Sequence, residues 1–133
     1  MSPDEVTLPP ASPTSYLRWV AFWREVEDRM LASEQLREIA AKEAAPFMDG
    51  EVARFISQAA GQIASQATSV PDHDSFTPVI TIPPAIRGEV AETIARRAAW
   101  LDLNHEALGI GALEQDLGDL RSRVIAAVRA AAP

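Results

Sequence analysis

Asp72-His73-Asp74 is the densest cluster of reactive side chains in the sequence, an imidazole between two carboxylates that could attract a divalent ion. It lies in "TSVPDHDSFTP", a run of turn formers that reads as a loop, and loops are where functional residues collect. Adjacent loop residues seldom converge on one ion, so a solvated acidic turn is the expectation. The second histidine, His105, follows Asn104 at an expected helix end, where an imidazole can meet the negative pole of the helix dipole. "GIGALEQ", from Gly109, contains Gly-x-Gly but lacks the third glycine and a preceding buried strand, so it reads as a turn and not as a phosphate cradle. Glu89 and Glu92 stand at helical spacing among arginines, which points to a salt-bridged exterior. No Gly-x-Ser-x-Gly turn is present, and the lack of cysteine removes thiol catalysis, thiolate metal sites and disulfides together. No catalytic, cofactor or metal site is therefore expected.

The elements that would have to position such residues are helical. A chain of 133 residues fits one domain, and 47% apolar with 23% charged residues is enough to fold it around one core. The net charge of -7 disfavours nucleic acid, which would need a basic patch. Arg96-Arg97 and the Arg121, Arg123, Arg129 set are interspersed with carboxylates and read as solvated helix faces. No apolar run approaches the length that spans a bilayer, and "MSPDEVTLPPASP" lacks the basic start and apolar centre of a signal peptide.

Four prolines in the first thirteen residues predict a flexible extended arm over 1–13, ahead of a single helical domain over 14–133. Ser12 or Thr14 can cap a first helix whose apolar stripe reads Tyr16, Trp19, Val20, Trp23, Val26, Met30. Glu25 and Arg29 form an i,i+4 pair on its opposite face. Ser33 starts a second helix or a kinked continuation of the first, with a narrow apolar edge on Leu36, Ile39, Ala40 and Ala44 and a limit at Pro46, and Asp49 starts a further helix with Val52, Phe55, Ile56, Ala59 and Ile63 on one face. The small residues Ala59, Ala60, Gly61 and Ala64 would let a neighbouring helix approach it closely. "VITI", over 79–82, is β-branched and bracketed by Pro78 and Pro83, hence a short extended segment. With no second strand evident, it is expected to pair with another copy or another protein at an open edge. Pro83 and Pro84 suit the first turn of a helix with its stripe on Ile86, Val90, Ile94, Ala98 and Leu101. After Gly109 and Gly111, the residues Leu113, Leu117, Leu120, Val124 and Val128 define a last helix. The fold class is thus all-α, a small bundle of four or five helices with one extended segment.

Function is expected to reside in apolar contact surfaces rather than in reactive side chains. The candidate interface residues are Trp19 and Trp23 on the first helix, Phe76, Val79, Ile80 and Ile82 around the extended segment, and Leu113, Leu117, Leu120 and Val124 on the last helix. A membrane role for the aromatic stripe is disfavoured, because its polar face is mixed in sign.

From Asp49 onward, the order of a helix "EVARFISQAAGQIASQ", a long loop, the proline-started helix "IPPAIRGEVAETIARRAAW" and a further C-terminal segment resembles tailed-bacteriophage head-to-tail connector proteins of the small helical adaptor class. The aromatic-rich helix and the proline arm ahead of Asp49 depart from that pattern. The resemblance implies a non-enzymatic virion protein, assembled in the bacterial host cytoplasm as a homo-oligomeric ring on portal and tail proteins. In that arrangement the loop from Thr68 to Ile82 and the termini would make subunit contacts. The alternative is a bacterial helical adaptor or regulatory module that binds one protein partner through an apolar helix face.

Overall fold

The computed structural model describes residues 3–45 and 50–133. Strand β1 (Glu5–Thr7) precedes helices α1 (Pro13–Ala32), α2 (Glu34–Lys42) and α3 (Gly50–Ala67). Strand β2 (Val79–Thr81) and a 3-10 turn (Pro84–Ile86) lead into α4 (Arg87–Asn104), and α5 (Gln115–Ala130) completes the chain. This is the expected helical bundle with five helices among the described residues, and the starts follow local chemistry. The Ser12 hydroxyl accepts from the Ser15 amide at 3.1 Å and that of Ser33 from the Leu36 amide at 3.2 Å, each satisfying an amide that a helix start leaves open. Pro13 occupies the first helical position of α1, where its missing N–H has no partner to lose. The expected limits at Pro46 and Asp49 lie outside the described residues.

Two apolar clusters fill the interior. The larger joins the sheet to α1, α3, α4 and α5 through Val6, Leu8, Tyr16, Trp19, Val20, Ile63, Ile80, Ile82, Val90, Leu120, Val124 and Val128, among others. The smaller gathers Val26, Met30, Ala40, Trp100, Leu101, Leu108 and Ile110 where α1 and α4 end and α2 crosses them. Tyr16, Trp19, Val20, Val26 and Met30, all on the predicted stripe of α1, are buried, so the stripe serves both clusters. Arg97, expected on a solvated face, is only 1% exposed, with its long apolar stem covered along with its head. A Cβ at Gly61 would meet nothing within 4 Å, so the α1–α3 packing does not depend on that glycine.

The largest departure from expectation concerns "VITI". β1 pairs with β2 antiparallel in the register Glu5↔Thr81, Val6↔Ile80, Thr7↔Val79, so the segment has its partner within the chain. The ladder extends through Ile82 N–H to Asp4 O at 2.8 Å and Leu8 N–H to Pro78 O at 2.8 Å. Val6 and Leu8 are 3% and 1% exposed, so the N-terminal arm is docked from Pro3 onward. A three-residue strand places a single side chain, Val6, inward, too brief an alternation to register as a pattern in sequence.

Candidate functional site

The sheet sits where α3, α4, α5 and the arm meet, and polar side chains of α1, α3, α4 and α5 end on the backbone of the sheet or of the arm. On the far edge of β2, the Gln66 side chain donates from Nε2 to Val79 O at 2.7 Å and accepts from Val79 N–H at 2.9 Å. Gln62 accepts from Thr81 N–H at 2.8 Å. Two glutamines one helical turn apart thus take the place of a third strand. The edge expected to be open for another chain is covered by α3, because Val79 N–H, Val79 O and Thr81 N–H, which an incoming strand would use, are already paired.

Arg87 ties the near side together. Its Nε donates to Ile82 O at 2.9 Å, one terminal nitrogen to Ala131 O at 3.1 Å and the other to Pro3 O at 2.6 Å. One guanidinium thereby links the arm, the end of β2 and the end of α5, with only 8% of the residue exposed. Arg123 Nη1 donates to Pro10 O at 3.1 Å, and the Tyr16 hydroxyl donates to Pro9 O. Burial pushes the Tyr16 phenol well above its ordinary pKa, against a smaller opposing pull from the Arg123 charge. The Tyr16 ring also stands edge-on to Phe76, with centroids 5.6 Å apart.

Beside the larger cluster, α1, α3, β2, α4 and α5 line a partly open apolar pocket of about 50 Å³, with Trp19, Trp23, Ile56, Ile80, Arg97 and Val124 among its walls. Desolvation lowers the Arg97 pKa, opposed by the carboxylate of Glu27, another residue of the lining. Among the described residues the Trp19 indole N–H finds no acceptor. At the other end of the molecule, the smaller cluster is closed by side chains that reach for turns. Arg29 Nη1 donates to Leu108 O at 3.1 Å, Arg96 Nη2 to Ala44 O at 2.8 Å, and the Trp100 indole to the Glu43 carboxylate. Leu31, Ile39 and Leu103, on the three elements that surround this cluster, are 57%, 37% and 86% exposed.

The candidate interface residues therefore divide. Trp19, Ile80, Ile82, Leu117, Leu120 and Val124 are buried in the chain's own core and present no surface, whereas Trp23, Phe76, Val79 and Leu113 are half-buried. The apolar stripes drew attention to the side chains that build the bundle; Leu31 and Leu103, which remain outside, lie off those stripes, and Ile39 lies on the narrow edge of the second helix. His73 is exposed, with its Nε2 3.5 Å from the Asp74 carboxylate, and no group of three metal-ligating side chains occurs among the described residues. His105 is the C-cap of α4 and its carbonyl accepts from Ile110 N–H at 3.0 Å, while Gly109 turns the chain at φ +70. Glu92 receives Arg129 at 2.7 Å, as expected of an exterior ion pair. Among the described residues no helix is long and apolar enough to cross a membrane. No protein-family model, curated protein or solved structure matches the chain.

Proposed function

We propose that the protein is a non-enzymatic assembly subunit that works through protein contacts, and specifically a head-to-tail connector subunit that forms a ring on a phage portal. The observation that carries this reading is where the polar side chains go. Arg29, Arg87, Arg96 and Arg123 donate to backbone carbonyls of distant segments, Gln66 donates to and accepts from the β2 backbone, and Gln62 accepts from it. Such side chains stiffen a scaffold; they do not converge on a place where a substrate would sit. The order of α3, a long loop, a proline-started turn, α4 and α5 is the order on which the likeness to connectors rests. The apolar side chains Leu31, Ile39 and Leu103 offer contact area at the end away from the sheet.

The test is electron microscopy of the protein with purified portal rings encoded beside its gene. Rings decorated with rotational symmetry support the reading. A soluble complex of one copy with a different single partner would favour the regulatory alternative, and bare portal rings at high protein concentration would count against a connector.

A further inference from the structure

We infer that the N-terminal arm, residues 3–12, is exchanged between neighbouring copies in the assembled state, each subunit placing its β1 in the next subunit's β2 slot. The inference deepens the assembly reading and rests on it for the meeting of many copies.

Three observations carry it. First, the sheet has one place for a strand from outside. The far edge of β2 is closed by Gln62 and Gln66, and the outer edge of β1 offers only Glu5 and Thr7 between Pro3 and Pro9, whose carbonyls are already taken by Arg87 and Tyr16. A neighbour's strand can therefore join this sheet by replacing β1, and the strand that fits the slot by construction is β1 itself.

Second, most of the arm's backbone hydrogen-bond partners belong to the body and not to the helix that carries the arm, which contributes Tyr16 and the start that Ser12 caps. Those of the body are β2, the Phe76 backbone, Arg87 at the start of α4 and Arg123 of α5; of the side-chain bonds to the arm backbone, only that from Tyr16 comes from α1. A second copy presents the same groups in the same geometry.

Third, the connection is built to stay extended. Pro9 and Pro10 fix their own φ, Leu8 and Ser12 precede prolines and are held away from helical angles, and Ser12 has ψ 149. A hinge that is already straight changes little when the arm lies on a neighbour, and ten residues of extended chain reach roughly 30 Å, the width of a small domain.

Glu5 and Thr81 face each other directly in the ladder and are both exposed, and the chain has no cysteine of its own. Glu5→Cys and Thr81→Cys are made as two single-variant chains, mixed, assembled on portal rings and oxidised, alongside a chain carrying both substitutions. Exchange predicts a covalent species of twice the chain mass in the mixture, above the level that either single variant reaches alone, and covalent ladders from the assembled double variant. Decorated rings in which the double variant closes its bond only within one chain would overturn exchange and leave the connector reading intact. Interchain 5–81 bonds formed in concentrated protein that never decorates a portal would support exchange and count against the connector.

Discussion

The two ends of the bundle are closed by different means. At the sheet end, main-chain pairing between β1 and β2 is reinforced by Gln62, Gln66 and Arg87, and apolar side chains such as Val6 and Ile82 point inward under it. At the other end single side chains reach across to turns, the Ala44 backbone sits at φ 56, and Leu31, Ile39 and Leu103 remain outside. The first end is sealed against other strands except at the slot its own arm occupies. The second has unspent apolar area and a strained turn, so it has more room to change without loss of fold.

The comparison breaks most readily at Arg87. Arg87→Met keeps much of the apolar stem but leaves three carbonyls without their donor, and about 3 kcal/mol of stability should go, read as a lower urea midpoint. If that midpoint is unchanged, the sheet end is not held as described. Tyr16 gives the next effect and its sign follows from linkage. Its folded-state pKa is raised, so its contribution is intact below the ordinary tyrosine value of about 10 and is lost as pH climbs beyond it towards the folded value. Because Tyr16 is the only tyrosine, tyrosinate absorbance should appear together with alkaline unfolding and not ahead of it, and Tyr16→Phe should remove this component of the pH dependence.

Gln66→Leu tests the closure of the β2 edge. It strips both partners from Val79 and should cost about 1–2 kcal/mol, with faster amide exchange at Val79 as its local signature. The smallest effect belongs to the other end. Ala44 follows α2 in a left-handed conformation, with Ala45 N–H on Ala40 O at 2.8 Å and Ala44 N–H on Ala41 O at 3.2 Å, the paired bonds of a Schellman ending that glycine usually occupies. Ala44→Gly should raise stability by roughly 0.5–1 kcal/mol in thermal melts. A loss instead would mean that the turn is not strained.

The helices were legible because their signals are local and repeated. Tyr16 to Met30 recur on one face over about four turns, and Ser12 and Ser33 cap where such residues usually do. What stayed hidden depends on partners far apart in sequence. β1 has one inward residue and meets a strand from the other half of the chain; Gln62 and Gln66 look like ordinary helix-surface residues until Val79 is beside them; Arg87 and Arg97 look like solvated charges until three carbonyls and a carboxylate surround them. Six of the ten candidate interface residues are buried within the chain for the same reason. Periodicity finds apolar faces, and in a bundle this size most of those faces are used internally.

Native mass spectrometry of the protein mixed with portal rings encoded beside its gene is the most direct measure of whether this scaffold acts by the proposed assembly. The account predicts a complex whose mass corresponds to a full ring of copies on one portal, with few partly filled species. A protein that stays monomeric beside intact portals, or turns over a small molecule instead, would contradict it.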